Sequence, residues 1–247
     1  MDSFSKSATF YDQYDHVQSE SARELMKWVS GKTFSHVREL GCGTGKHTVS
    51  LLHASQATHL LAIDRSADMI EYAKLHHSHP KISYRCQSFE STDLSLEEQL
   101  IFSNASLQWS CNLERVLTRL CAQKQSSCWF LASLFGPETF KELAVSLRSV
   151  LGAPVNLPSA SFYSDIQLYQ VSKDLFSDLD FYQEKRIRVF PTVTDLFKSI
   201  KYTGTKGRGI AEKKIWTRHF LEKLDTAYRH RYGDIAVTYQ VFYIRAR

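Results

Sequence analysis

At 247 residues with 43% hydrophobic and 23% charged side chains, the chain has an ordinary globular composition, and no apolar run approaches the ~20 residues of a membrane span. Five scattered cysteines with no C-x-x-C pair exclude a disulfide framework or zinc site, and they read as small buried thiols. The formal charge of +5 is uneven, because Lys198 to Arg231 holds ten Lys/Arg against three Asp/Glu, a local +7 that leaves −2 elsewhere.

In chain order, MDSFSKSATFYDQYDHVQ has neither an apolar core nor an Arg-rich pattern, so no secretory or transit segment is expected and the location expected is cytoplasmic. Residues 18–29 place Ala22, Leu25, Met26 and Val29 at helical spacing. The strand HVREL, 36–40, runs into the turn GCGTG, after which KHTVSLLH is helical. A second strand, HLLAI, ends on Asp64, and Ser66 is placed to cap the helix ADMIEYAKLHH. KISYRC, QLIFSN and SCWFLASLF are three further strands, with NLERVLTRLCA a helix between the last two. ETFKELAVSLRSVL is helical, GAPVNLPSASF reads as loop, and DFYQEKRIRVF and AVTYQVFYIRAR form an antiparallel closing pair. Strands alternating with helices predict an α/β fold with a mostly parallel sheet covered on both faces.

The turn spacing is G-x-G-x-G, at Gly41, Gly43 and Gly45. Glycines there admit positive φ and let a ligand approach the backbone at a helix N-terminus. The dinucleotide pattern G-x-G-x-x-G differs, and Glu39 just ahead of the turn repels a pyrophosphate but suits an ammonium. Glu39 therefore favours S-adenosylmethionine over a nicotinamide cofactor, and Asp64, closing the second strand, suits ribose hydroxyls. A lone glycine turn is often only a tight connection, and a strand-ending Asp only a helix cap; the combination is what points to a nucleoside.

E-L-G-C-G-T-G followed by an Asp-ended strand resembles the class I methyltransferase superfamily. FSKSATFYDQYDHVQ, FSNASLQW, LFGPETFKEL and VTYQVFY are, in the same order, similar to the malonyl-[acyl-carrier-protein] O-methyltransferases of biotin synthesis. The resemblance covers nearly the whole chain. It implies a Rossmann-like domain over 1–247: a seven-stranded, mostly parallel sheet with an antiparallel closing strand. Within it, 1–35 are lid helices, 36–150 the cofactor-binding core and 192–232 a basic helical substrate cap inserted before the last strand. The implied cofactor is S-adenosylmethionine, leaving as S-adenosylhomocysteine, with no metal.

By that resemblance Glu39, Gly41 and Gly43 hold the methionine part and Asp64 the ribose, with Arg65 and Met69 in the cofactor set. Tyr11 and Gln18 close over the cofactor, Asn104 and Leu107 complete its site, and Gln108 and Trp109 face the substrate. Ser88 stands where the family pattern has an Asp for the adenine amino group, so Ser88, Gln87 or the backbone is expected to hold adenine, with Phe89 against the ring. Arg208 in G-R-G is the candidate counter-charge for a substrate carboxylate and, with Tyr11, the candidate catalytic pair. The stretch around it is shorter than the family's.

A malonyl carboxylate is already ionised, so methyl transfer needs alignment and water exclusion rather than a general base. The acceptor expected is malonyl-acyl carrier protein, docked by the basic face at Lys213, Lys214 and Arg218. Other readings are a methyltransferase for another small acid or a quinone, an RNA methyltransferase served by the same basic stretch, and a cofactor-binding protein without activity. Membrane association is not expected and nucleic acid is disfavoured; oligomeric state is not encoded legibly.

Overall fold

The computed structural model describes residues 8–203 and 217–247, and Arg208, Lys213 and Lys214 lie outside them. Two helices, α1 (Ala8–Tyr14) and α2 (His16–Lys27), lead into β1 (His36–Leu40). There follow α3 (Lys46–Ser55), β2 (His59–Asp64), α4 (Ala67–His76), β3 (Ile82–Cys86), β4 (Leu100–Asn104), α5 (Leu113–Gln123), β5 (Trp129–Phe135) and α6 (Lys141–Leu151). The chain ends α7 (Asp165–Leu175), β6 (Leu179–Phe190), α8 (Val193–Tyr202), α9 (Arg218–Tyr232) and β7 (Ile235–Ala246).

The strands form one sheet in the order β3-β2-β1-β4-β5-β7-β6. Six run in one direction; β7 opposes β5 and β6, pairing Val241 with Phe135 and Glu184. The continuous apolar runs of β4 and β5 fit strands covered on both faces, whereas edge strand β6 alternates half-buried and exposed side chains. One face packs Leu25, Leu51, Leu143, Leu196 and Leu224 from α2, α3, α6, α8 and α9. The opposite face packs Leu113, Leu117 and Leu120 of α5 with Leu168 of α7.

Ser66 accepts from the Met69 amide, the cap expected for α4. Helix α7 was not among the expected elements. Its signal is a capping box, in which Ser164 accepts from the Gln167 amide and the Gln167 side chain accepts from Ser164. The cysteine expectation needs correction: Cys42 and Cys128 are buried, Cys121 is intermediate, and Cys86 and Cys111 are exposed. Cys86 ends the edge strand β3 and Cys111 sits in a loop, where nothing covers them. Among the described residues no helix is long and apolar enough to cross a membrane.

Candidate cofactor site

The chain runs β1 to β2 to β3 toward one edge and then returns to place β4 on the other side of β1. Outside the carboxyl ends of β1 and β4 there is therefore no crossover to fill the space, which is where open α/β sheets bind ligands. A cleft lies there. Its walls include Gly41, Gly43, Asp64, Arg65, Met69 and Phe89 on one side of the switch. Asn104, Ala105, Ser106, Trp109 and Phe135 form the other side, with Tyr11, Gln18 and Thr203 contributed from outside the sheet.

All three glycines of the turn have left-handed φ, +74° at Gly41, +56° at Gly43 and +78° at Gly45. A Cβ on Gly41 would collide with the Ser106 side chain, so this glycine lets the two loops at the switch point meet. A Cβ on Gly43 would meet nothing within 4 Å, so this backbone is open to whatever the cleft holds. The Gly43 amide donates to Asp64 Oδ2 at 3.0 Å, and the Ser66 amide donates to Asp64 Oδ1 at 2.9 Å. Asp64 thus fixes the glycine turn and the start of α4 while lining the cleft.

The N-terminal helices are clasped onto this turn. Asp15, 1% exposed, accepts from Lys46 Nζ at 2.7 Å and from Ser19 Oγ at 3.0 Å, and pairs with His47 Nε2 at 3.0 Å. Burial opposes its ionisation, but hydrogen bonds from His47 and Lys46, with their charges, hold its carboxyl below the usual value. Thr44 Oγ1 donates to Asp12 at 2.7 Å, and Tyr202 of α8 stacks on Tyr14. Tyr11 is thereby set over the cleft; burial first, then the charges of Asp15, Asp64 and Asp12, push its phenol pKa up, so it is a neutral hydroxyl.

Asn104 lines the cleft with its amide already engaged. Its Nδ2 donates to the Gln18 carbonyl at 2.9 Å, and its Oδ1 accepts from Ser21 at 2.8 Å and Ser133 at 2.7 Å. It anchors α2 across the end of β4.

Leu107, Gln108, Ser88, Gln87 and Glu39, all expected at the site, are not on the cleft wall. Leu107 is fully buried among Leu113, Leu117 and the β4–β5 core, because the short 3-10 turn Leu107–Trp109 points it inward and Trp109 toward the cleft. Gln108 folds back to donate to the Ala105 carbonyl at 2.8 Å. Ser88 accepts from the Glu90 amide at 3.1 Å, within its own turn. Glu39, 3% exposed, lies beneath the glycine turn, where Thr48 Oγ1 donates to it at 2.6 Å.

A Methyltransferase domain family model matches residues 37–123. The malonyl-[acyl-carrier protein] O-methyltransferase of Priestia megaterium is 30% identical, the match covering 96% of this chain and 92% of that protein. The chain belongs to the malonyl-[acyl-carrier protein] O-methyltransferase family. It is an S-adenosylmethionine-dependent methyltransferase. Malonyl-[acyl-carrier protein] O-methyltransferase 1 of Ilyobacter polytropus is also 30% identical, over 98% of this chain and 91% of its own.

Solved structures show the same fold at lower identity. The YcgJ protein of Bacillus subtilis superposes with a TM-score of 0.61 at 13% identity, covering 92% of this chain and 97% of its own. Haemonchus contortus phosphoethanolamine N-methyltransferase 2, crystallised with S-adenosyl-L-methionine, gives 0.58 at 14% identity, over 97% of this methyltransferase and 57% of its own length.

The methyltransferase's cleft also includes residues that sequence reasoning missed. Phe135 was findable, since it closes β5 just before Gly136 and carboxyl strand ends line such sites. Ala105 and Ser106 fall inside the quoted segment FSNASLQW, and Ala105 carries φ +48°, a strained value for a non-glycine residue. Thr203, after α8, gave no signal.

Burial, helped by the charge of Asp64, raises the Glu39 pKa from 4.5 to about 7, against the Thr48 hydrogen bond and the nearby His47. Between those two values the folded chain holds a proton that the unfolded chain has released, so Glu39 makes stability fall as pH rises from 4.5 to 7. Glu39→Gln keeps an acceptor for Thr48 and removes that pH dependence. Without cofactor, its melting temperature relative to wild type should climb by a few degrees between pH 5 and pH 8. A constant difference across that range, read by calorimetric melts, contradicts this account of Glu39.

Proposed function

We propose that the cleft holds S-adenosylmethionine and that the methyl acceptor is the free carboxylate of a malonyl thioester on acyl carrier protein. The product is the malonyl methyl ester that primes pimeloyl assembly for biotin. Two kinds of support meet here: the family of the chain, and a cleft combining a glycine turn, a strand-ending Asp64 and an apolar floor of Met69 and Phe89. The open backbone at Gly43 carries most weight, because it is a cradle that any side chain would fill.

In this reading the Gly41–Gly43 backbone receives the amino-acid tail above Glu39, which carries its full negative charge only above its raised pKa of about 7, and Asp64 receives the ribose. The bound cofactor supplies an electrophilic methyl group on sulfur. Trp109 and Phe135 bound the acceptor end and exclude water there, Tyr11 and Gln18 close the cleft from the N-terminal lid, and Arg208 neutralises the acceptor carboxylate. Alignment and desolvation are the work asked of the protein.

The acidic carrier is steered by the basic cap, to which Lys213, Lys214 and Arg218 belong. Along α9, Arg218 and Arg229 are paired with Glu222 and Asp225, at 2.9 and 2.7 Å. Lys223 and Arg231, with His219, His230 and the carboxylate of Glu222, line a trough between α6 and α9 whose excess of basic groups suits an acidic surface. No membrane contact is part of this function, and a cytoplasmic setting fits a soluble carrier protein.

The test is methyl transfer from labelled S-adenosylmethionine to malonyl-acyl carrier protein, free malonate or RNA. Label is expected on the carrier-bound malonyl group as a base-labile ester. Arg208→Ala should raise the acceptor KM about tenfold or more with cofactor affinity nearly unchanged. Transfer to RNA alone overturns the proposed acceptor.

A further inference from the structure

Helix α1 is seven residues long, too short to hold its own place, so its seat is set by what it packs against. On the glycine-turn side those partners are polar: Thr44 Oγ1 donates to Asp12 at 2.7 Å, and Lys46 Nζ donates to the Asp12 carbonyl at 3.1 Å. On the other side they are aromatic. Phe10 and Tyr14, four positions apart and so on one face of the helix, both meet the ring of Tyr202, with centroids 5.0 and 5.1 Å away. Tyr11, between them in sequence, lines the cleft.

Tyr202 is the last residue of α8, and Thr203 directly after it is on the cleft wall. The final turn is closed by Ser199, whose carbonyl accepts from the Thr203 amide at 3.0 Å and from Thr203 Oγ1 at 2.8 Å. Upstream, Leu196 and Ile200 bury α8 in the same core as Phe135, Phe140 and Tyr239. Phe135 is on the cleft wall, and its ring stands 5.9 Å from that of Tyr239. One aromatic side chain therefore joins the helix that carries Tyr11 to the helix seated in the core behind Phe135.

We infer that Tyr202 is a positioning residue that couples the two ends of the cleft, so that cofactor and methyl acceptor each strengthen the binding of the other. The inference rests on the proposed occupants of the cleft. A cofactor beneath Tyr11 holds α1 in place, α1 presents Phe10 and Tyr14 to Tyr202, and the docked Tyr202 fixes the end of α8 and with it Thr203. An acceptor entering against Phe135 and Thr203 then finds its wall already set. The effect is reciprocal, because a coupling free energy acts equally on both ligands. Two aromatic pairs of ordinary strength amount to about tenfold in an equilibrium, which sets its size.

The test measures S-adenosylhomocysteine affinity by calorimetry, with and without saturating malonyl-acyl carrier protein, in wild type, Tyr202→Ala, Tyr202→Phe and Phe10→Ala. In wild type the carrier is expected to tighten S-adenosylhomocysteine about tenfold. Tyr202→Ala, which loses both ring contacts, should bring that factor to about one, and Phe10→Ala, which loses one, should cut it about threefold. Tyr202→Phe keeps the rings and should keep the coupling. Phe10 is 44% exposed, so its truncation spares the core, and it decides alone if Tyr202→Ala fails to melt cooperatively. A factor below about twofold in wild type, or one left at the wild-type value in the folded alanine variants, overturns the role of Tyr202. Wild type that binds S-adenosylhomocysteine yet methylates no malonyl thioester overturns the acceptor reading instead, and the coupling with it.

Discussion

Gly41→Ala is expected to weaken cofactor affinity by 100-fold or more and to lower stability by about 1–3 kcal/mol. Two costs coincide at this position. The backbone stands at φ +74°, where a Cβ costs roughly 1–2 kcal/mol, and the added carbon would occupy the space of the Ser106 side chain. Either the glycine turn or the loop after β4 must move, and both line the cleft. Gly43→Ala separates the effects: its φ is also positive, but the new carbon meets no protein atom, so it should cost less stability than Gly41→Ala while still blocking the ligand. Isothermal titration with S-adenosylhomocysteine and thermal melts check both variants. Wild-type affinity in Gly41→Ala contradicts the close approach of the two loops.

Asp15→Ala should destabilise the protein by about 2–4 kcal/mol and raise the cofactor KM at least tenfold. The substitution leaves Lys46 and His47 facing a cavity with no counter-charge and removes the acceptor for Ser19. Because these bonds tie the start of α2 to α3, Tyr11 loses its fixed place over the cleft. The Asp15 carboxyl is held below its ordinary 3.8, so its contribution is complete above that value and disappears as pH falls through the lower folded value. The gap between variant and wild type should therefore be full at neutral pH and narrow in acid. A gap independent of pH, or an unchanged KM, contradicts the clasp.

Much of this architecture is written locally. The strand HVREL, the turn at Gly41–Gly45 and Asp64 closing β2 form a continuous signal, because each step depends on neighbours a few residues away. The clasp is not local: Asp15 reaches Lys46 across 31 positions, and no period or motif connects them. Strand alternation likewise gives the position of Glu39 but not the depth of its face, so an acid expected to touch ligand lies under the turn instead. Leu107 and Gln108 share a motif with Trp109, yet a tight 3-10 turn sends successive side chains in different directions, one to the core and one to the cleft. Helix α7 was legible, since Ser164 and Gln167 stand at capping-box spacing, but the Pro/Ser-rich passage before it masks the start.

Binding of the sulfonium cofactor in the cleft at the β1/β4 switch point is the central claim to test. Titrating the purified full chain with S-adenosylhomocysteine in a calorimeter is predicted to give saturable heat at one site per chain, greatly reduced in Gly41→Ala. No heat with either that product or S-adenosylmethionine, from protein that melts cooperatively, would contradict it.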